Sequence, residues 1–282
     1  MDWPRIIYKL LIRSASRLNR IIIPPLQRLA STLIHLNPIF GRFHQYFRRC
    51  RFFWLTREDA NRLRFYSDFI RPNSLVFDVG ANVGNRTKIF IRLGARVVAF
   101  EPQAKCADFL HQMFRKNQSF RLVRKALGPV QETATMFICN SNTISSLSET
   151  WINATTKSGR FGSYEWTRRE EVDVTTLDVA IEQFGCPSFT KIDVEGFEFE
   201  VLKGLTRPIE SISLEVVPEC LENTHRCLRR LETLAKYEFQ FSFGESMQFV
   251  FPRWISSTEL LTWLKNLPPD SFGDLYARRT KN

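Results

Sequence analysis

The chain has 282 residues, and its 40 Lys and Arg against 29 Asp and Glu give a formal net charge of +11 at neutral pH. Hydrophobic residues make up 44% of the chain, with only 12 Gly and 13 Pro, which excludes a disordered or low-complexity protein. The length allows one large domain with an extension, or two small domains. The basic charge suggests a nucleic acid or an anionic membrane as partner.

The excess positive charge lies almost entirely at the start of the chain. Residues 1–64 carry 13 Lys and Arg against 3 Asp and Glu, whereas residues 65–282 carry 27 against 26. Enzymes that act on nucleic acids usually carry a basic surface across the catalytic domain, where it meets the phosphates. The near-neutral body therefore disfavours a nucleic-acid substrate, and the charge belongs to an N-terminal extension, residues 1–64.

The extension begins with a predicted amphipathic helix over residues 5–23, which ends at two prolines. Its basic residues recur every four positions and share one face: Arg5, Lys9, Arg13 and Arg17. No stretch reaches the ~20 apolar residues that span a bilayer. Several interpretations stay open for residues 1–57: binding to an anionic membrane surface, helices or a lid over an active site, RNA contact, or an organellar presequence.

The cysteines are spread along the chain and show neither a C-x-x-C pair nor the Cys/His spacing of a zinc site. They are Cys50, Cys106, Cys139, Cys186, Cys220 and Cys227. Such spacing predicts free, mostly buried thiols of a reducing compartment and no metal site. We therefore predict a cytoplasmic protein, with peripheral association with a membrane through residues 1–57 as one of the open interpretations.

From residue 75 onward, short apolar runs alternate with helical stretches. Strands are predicted at 75–80, 96–101, 120–126, 133–139, 171–174, 189–193, 211–217, 239–243 and 248–251. Helices are predicted near 86–93, 104–116, 176–184, 197–204, 219–236 and 257–266. This alternation is typical of βαβ units, so we predict one α/β domain with a doubly wound, parallel sheet. Residues 141–170 are predicted to form a long irregular insertion.

A glycine-containing segment, Asp78-Val79-Gly80-Ala81-Asn82-Val83-Gly84, closes the first predicted strand. Open α/β sheets bind ligands at the carboxyl ends of their strands, and glycine there lets the backbone approach a cofactor. The dinucleotide fingerprint would be Gly-x-Gly-x-x-Gly, but Asn82 stands at the second glycine. A nicotinamide-dependent dehydrogenase is therefore disfavoured.

Four acidic residues are candidates for the site. Glu101 ends the second strand, where a carboxylate can accept both ribose hydroxyls of an adenosine group, or can be solvated. Asp193 and Glu195 alternate on an extended segment, so both can face one cleft. Paired carboxylates suit a general base or a metal, although one of them could simply cap the next helix. Glu215 lies within an apolar strand, which predicts that it faces the site.

These segments together resemble the FkbM-type methyltransferases over about residues 73–278. The resemblance is carried by VFDVGANVGNRT (76–87), AFEP (99–102), TISSL (143–147), VDVTTLD (172–178), KIDVEGFEFEVLKG (191–204), ISLEV (212–216) and GDLYAR (273–278). It implies a class I, Rossmann-like fold with an antiparallel C-terminal strand, and S-adenosylmethionine as cofactor. It does not extend over residues 1–70.

The resemblance also implies roles for individual residues. Asp78, Gly80, Asn82 and Gly84 would lie at the methionine part of the cofactor, Glu101 at its ribose, and Ala126 and Leu127 near its adenine. Thr143, Ser145 and Ser146 would offer hydroxyls to cofactor or acceptor. The proton of an acceptor hydroxyl would pass to Asp193, with Glu195 and Glu215 as alternatives and His225 after them.

The expected reaction is O-methylation of a sugar, a glycolipid or a secondary metabolite. Two alternatives remain. The first is an RNA ribose methyltransferase, since Lys191 and Asp193 are similar to part of the Lys-Asp-Lys-Glu set of those enzymes and the basic extension could contact RNA. The second is a non-catalytic, membrane-associated module with a methyltransferase fold.

Overall fold

The computed structural model describes residues 52–280, so the helix predicted over residues 5–23 and most of the N-terminal extension lie outside the described residues. The helices are α1 (Arg57–Tyr66), α2 (Asn85–Arg92), α3 (Ala104–Phe114), α4 (Glu149–Ser158), α5 (Leu177–Phe184), α6 (Glu198–Lys203), α7 (Leu221–Leu234) and α8 (Ser257–Leu264). The strands are β1 (Leu75–Val79), β2 (Arg96–Phe100), β3 (Phe120–Val123), β4 (Ala126–Leu127), β5 (Glu132–Cys139), β6 (Trp166–Thr175), β7 (Phe189–Ile192), β8 (Ser211–Val216), β9 (Tyr237–Phe243) and β10 (Gly273–Arg279). Short 3₁₀ turns span Asn142–Ile144 and Pro218–Cys220.

The main sheet has seven strands in the order β3-β2-β1-β7-β8-β10-β9. Neighbours from β3 to β8 pair in parallel, and β10 runs antiparallel between β8 and β9. The predicted doubly wound, mostly parallel sheet with an antiparallel C-terminal strand is therefore confirmed. The chain order reverses between β1 and β7, which places the ends of these two strands at the topological switch point of the sheet.

Both faces of the sheet are buried, as the apolar sequences of its strands require. All five residues of β1 are buried, and successive residues face opposite sides: Phe77 joins the apolar cluster on one face and Val76 the cluster on the other. The helices cover these faces with apolar stripes. In α7 the buried positions follow helical spacing: Thr224, Cys227, Leu228 and Leu231.

The segment 141–170, predicted to be irregular, is partly regular. Helix α4 begins at Glu149, where the Ser148 hydroxyl accepts a hydrogen bond from the backbone N–H of Trp151. Strand β6 begins at Trp166, five residues before the predicted start, and lies between β4 and β5 in a second, three-stranded sheet. The irregular prediction was wrong here because the polar start of β6 lacks an apolar pattern, although it pairs along β5.

The strand predicted at 248–251 is absent, and this segment is irregular. The side-chain amide of Gln240 donates to the carbonyls of Phe251 and Arg253 at 2.8 and 2.7 Å, so a side chain satisfies part of this backbone. Helix α1 was not predicted. It begins with a reciprocal capping box between Thr56 and Asp59, and the Asp59 carboxylate also accepts from the Lys88 ammonium at 2.8 Å.

Among residues 52–280, no helix combines the length and the apolarity needed to span a membrane. The five cysteines in this part of the chain are free thiols, and three of them are buried: Cys106, Cys139 and Cys227.

Candidate functional site

A cavity of ≈ 260 Å³ opens at the carboxyl ends of β1, β2 and β7. It is lined by ten of the residues that the sequence predicts for the cofactor and the base: Asp78, Gly80, Asn82, Glu101, Ala126, Leu127, Ser145, Asp193, Glu195 and Glu215. Gly84 does not line it. Residues that lie more than 100 positions apart in the sequence therefore face one space, at the switch point of the sheet.

The two glycines of the loop make room for protein atoms. Gly80 has φ +76°, and a Cβ there would lie 1.9 Å from the carbonyl oxygen of Asp193. Gly84 has φ +82° and starts α2, and a Cβ there would lie 2.6 Å from the side chain of Leu110. The absence of a side chain at Gly80 thus lets the β1–α2 turn pack directly on the segment that follows β7.

The Asp78 side chain is buried and fixed from α2. The Thr87 hydroxyl donates to its carboxyl group at 2.5 Å, and burial raises the pKa of Asp78 above its ordinary value. Four residues on, Asn82 has a positive φ of +49°, which turns the loop at the cavity. These contacts hold the glycine loop in one conformation.

Glu101 is the best-defined polar group of the cavity. Its side chain is only 2% exposed, and its two carboxylate oxygens accept from the backbone N–H groups of Asn82 at 2.7 Å and Gln103 at 2.8 Å. Burial raises its pKa to about 7, against the effect of these hydrogen bonds. Each oxygen keeps a free lone pair, so the carboxylate can still accept two hydroxyl donors, as an adenosine ribose would present.

The wall beside Glu101 is apolar. Ala126 and Leu127 form β4, and Phe100, Met136 and Leu147 also line this part of the cavity. An apolar wall beside a carboxylate suits an adenine ring next to its ribose. The described residues thus fit S-adenosylmethionine, with Glu101 and this wall on the adenosine side and the glycine loop on the methionine side.

The 3₁₀ turn Asn142–Ile144 closes the cavity over the glycine loop. The Asn142 carbonyl accepts from the side-chain amides of Asn82 and Gln103, both at 3.0 Å. Of the predicted hydroxyls, Ser145 and Thr143 line the cavity. Sequence reasoning missed Asn142 and Gln103, although Asn142 immediately precedes the TISSL segment and Gln103 follows AFEP.

The acidic end of the cavity contains three carboxyl groups and a lysine. One oxygen each from Asp193, Glu195 and Glu215 lies within 4.8 Å of the others. The Lys191 side chain is buried, and its ammonium donates to Asp193. Burial alone would lower the pKa of Lys191, but the carboxylates of Asp193 and Asp274 raise it above its ordinary value.

Glu195 and Glu215 differ from Asp193 in their surroundings. Burial, followed by the nearby acidic groups, raises the pKa of both Glu195 and Glu215 well above its ordinary value. These raised pKa values favour the protonated forms of the two groups, which can donate hydrogen bonds. The three oxygens are close enough to share a hard cation, which would favour their ionised forms instead.

Arg86 and Glu245 also line the cavity and form an ion pair. The Arg86 guanidinium donates to both Glu245 carboxylate oxygens at 2.7 Å and to the Tyr66 hydroxyl at 3.1 Å. Sequence reasoning missed this pair because Glu245 lies in an irregular segment. His225, the last of the candidate bases, lines a separate surface depression beside α8 and not this cavity.

The chain matches one protein-family description, the methyltransferase FkbM domain, over residues 78–255. A search of curated proteins finds no match. Among solved structures, the precorrin-6y C5,15-methyltransferase of Geobacter metallireducens GS-15 is 12% identical, with a TM-score of 0.42, 77% of this chain and 88% of that chain covered. An O-methyltransferase of Bacillus cereus in complex with SAH is also 12% identical, with a TM-score of 0.41, and 80% and 83% covered.

Proposed function

The chain belongs to the FkbM methyltransferase family, whose cofactor is S-adenosylmethionine, and from this premise we propose that it methylates a hydroxyl group of a sugar, a glycolipid or a secondary metabolite. One observation carries the proposal. A single cavity joins Glu101 and its apolar wall, which suit the adenosine group, to the carboxyl groups of Asp193, Glu195 and Glu215. Cofactor and acceptor can therefore meet in one space.

S-adenosylmethionine supplies an electrophilic methyl group on a sulfonium centre. The leaving thioether is neutral, so the protein has two tasks: to aim a lone pair of the acceptor oxygen and to take its proton. Asp193 suits the second task. Its side chain is 33% exposed, and its backbone N–H donates to the Val79 carbonyl at 3.0 Å, which places it beside the glycine loop.

The neighbouring carboxyl groups suit the first task. The raised pKa values of Glu195 and Glu215 favour their protonated forms, which would donate hydrogen bonds to acceptor oxygens and leave Asp193 to take the proton. The Lys191 ammonium would keep the proton-accepting oxygen of Asp193 oriented. An acceptor rich in hydroxyls would use all three carboxyl groups.

Cofactor binding is tested by isothermal titration of S-adenosylhomocysteine into the full-length protein. We expect saturable binding that Glu101→Ala weakens at least about 10-fold, since the substitution removes the ribose acceptor. Asp108→Asn on the exposed face of α3 is the matched control and should bind as the wild type does. Absence of binding, or wild-type affinity after Glu101→Ala, would refute the cofactor site.

The reaction is tested by following labelled methyl groups from S-adenosylmethionine into fractions of a cell extract. In the fraction that the wild type labels, Asp193→Asn should lower kcat by about 100-fold or more while S-adenosylhomocysteine affinity is kept. Near-full turnover of Asp193→Asn with intact cofactor binding would exclude Asp193 as the base. Label that is stable to alkali would favour an ether over an ester.

We further propose that the basic extension brings the enzyme to an anionic membrane that carries a lipid-linked acceptor. The support is the charge distribution, because residues 1–64 hold nearly all of the net positive charge while the body that contains the cavity is near-neutral. Salt-sensitive retention of RNA by the full chain, with no binding to anionic vesicles, would favour the RNA methyltransferase instead.

A further inference from the structure

The turn that carries Glu195 has an unusual backbone. Glu195 has φ +55° and Gly196 has φ +89°, so two consecutive residues adopt the left-handed region. A side chain other than glycine is uncommon there and persists only where the surrounding structure holds it. The residue held in this conformation is one whose carboxyl group lines the cavity.

The buried carboxylate of Glu198 also forms hydrogen bonds with this turn. Glu198, in the first turn of α6, is 3% exposed and does not line the cavity. One of its oxygens accepts from the backbone N–H groups of Val194 at 3.3 Å and Gly196 at 3.0 Å. Glu198 therefore binds the chain on both sides of Glu195.

Glu198 is itself fixed by α7. The Asn223 side-chain amide donates to the second Glu198 oxygen at 3.0 Å and to the Gly196 carbonyl at 3.4 Å. Asn223 thus connects Glu198 to the turn, and we call the hydrogen bonds from Val194 and Gly196 to Glu198 the clamp. Helix α7, which carries Asn223, is anchored by its buried apolar stripe. The position of the turn is tied to the sheet through two helices.

The opposite side of the turn is held by the segment 141–170. The Ser146 hydroxyl donates to the Glu195 carbonyl at 2.7 Å. The Trp151 side chain of α4 lies directly on Gly196, where a Cβ would come within 2.3 Å of it. The N–H groups on both sides of Glu195 and its own carbonyl are therefore all engaged by groups outside the turn.

We propose that Glu198, oriented by Asn223, is a positioning residue of the methyl-transfer reaction, which holds the Glu195 carboxyl group beside Asp193 and Glu215. A glutamate that only stabilised α6 would bond to the free N–H groups of its own helix. Besides the backbone N–H of Glu198 itself, the Glu198 carboxylate accepts from the N–H groups of Val194 and Gly196, which precede the helix. The catalytic part of this inference depends on the proposed function, whereas the clamp itself does not.

The first test measures the clamp without an acceptor, by amide hydrogen exchange in the full-length protein. Glu198→Ala should speed exchange at Val194 and Gly196 by about 10-fold or more. Glu198→Gln should keep most of the protection, since both N–H groups bond to one oxygen, which the amide retains, and Asn223 can turn its amide oxygen toward the new NH2 group. Glu222→Ala, next to Asn223 and exposed, is the matched control. Unchanged exchange at both amides in Glu198→Ala would overturn the clamp.

The second test measures turnover in the extract fraction that the wild type labels. Glu198→Ala should lower kcat by about 10-fold or more with the KM for S-adenosylmethionine within about 2-fold, and Glu198→Gln should restore most of kcat. If Glu198 acts through Glu195, adding Glu198→Ala to Glu195→Gly should lower kcat no further. Glycine is unstrained at this φ, so this background keeps the fold.

The outcomes separate the two proposals. An additive loss in the double variant, or Glu198→Gln as inactive as Glu198→Ala, would overturn the positioning role. A wild type that neither binds S-adenosylhomocysteine nor transfers methyl groups would overturn the proposed function. In that event the amide exchange of Val194 and Gly196 still decides whether the clamp exists.

Discussion

Replacing Glu101 by glutamine should change how both stability and cofactor affinity depend on pH. Burial raises the pKa of Glu101 from 4.5 to about 7. A carboxyl group with a raised pKa contributes stability that is complete below its unfolded pKa and lost as the pH rises through its folded pKa. For Glu101 that window lies between 4.5 and about 7. The full effect is about 3 kcal/mol at 1.36 kcal/mol per pKa unit.

Glutamine cannot ionise, so Glu101→Gln lacks this loss. It gives up one acceptor for the N–H groups of Asn82 and Gln103, which costs about 1–3 kcal/mol at every pH. Relative to the wild type, the variant should therefore gain about 3 kcal/mol of unfolding free energy between pH 4 and pH 8. Urea unfolding across this range measures the difference, in which the contributions of other titrating groups cancel. Glu132→Gln, an exposed residue of β5, is the control.

As the pH rises, ionisation of Glu101 should lower the stability of the wild type but raise its affinity for the cofactor. The ionised fraction of a group with a pKa of about 7 rises from roughly a tenth at pH 6 to roughly nine tenths at pH 8. If the carboxylate receives the ribose hydroxyls, the ratio of wild-type to Glu101→Gln affinity for S-adenosylhomocysteine should rise about 10-fold over this range. A ratio that stays constant from pH 6 to pH 8, together with a constant stability difference, would refute the reasoning about Glu101.

Three further predictions concern other parts of the chain. Gly80→Ala should cost more than about 2 kcal/mol of unfolding free energy in a urea titration, because the new Cβ would lie 1.9 Å from the Asp193 carbonyl oxygen. Gly162→Ala is the control and should be near-neutral, since its Cβ would lie 3.5 Å from the nearest atom. Lys191→Met should destabilise the protein by about 1–3 kcal/mol, since it leaves the partly exposed Asp193 without its ion-pair partner, and an unchanged urea midpoint would contradict this. Replacing five basic residues of the extension by glutamine should weaken binding to anionic vesicles, measured by co-sedimentation, by about 1 kcal/mol per charge. Neutral vesicles are the control, and equal binding of the variant and the wild type would contradict the prediction. The residues replaced are Arg5, Lys9, Arg13, Arg17 and Arg20.

The sheet and most of the cavity lining could be predicted because buried parallel strands have a recognisable apolar sequence. A buried strand such as β1 is a short apolar run, and the carboxyl ends of neighbouring parallel strands lie at one edge of the sheet, where ligands bind. The positions of Glu101 after β2 and Asp193 after β7 follow from this rule. Strand β6 could not be found in this way, because its first half pairs along an exposed edge and has a polar sequence.

Contacts between distant segments account for what the sequence did not show. Asn142 and Gln103, 39 residues apart along the chain, meet only because the 3₁₀ turn folds over the glycine loop. Glu198 was part of the KIDVEGFEFEVLKG segment, but nothing in that segment indicates that its carboxylate turns back onto Val194 and Gly196. A spacing pattern gives the face on which a residue lies, whereas hydrogen-bond partners depend on packing of several elements.

The acidic end of the cavity shows why packing matters for the chemistry. The sequence predicts that Asp193, Glu195 and Glu215 all face the site, and it does not indicate how their surroundings differ. The fold makes them unequal. Two lysine ammonium groups line the cavity, those of Lys125 and Lys191, and the Lys191 ammonium bonds to Asp193. Burial with neighbouring acids leaves Glu195 and Glu215 with raised pKa values. One group is thereby paired with a cation, and the protonated, hydrogen-bond-donating form is favoured in the other two, a division that suits the proposed transfer to a hydroxyl.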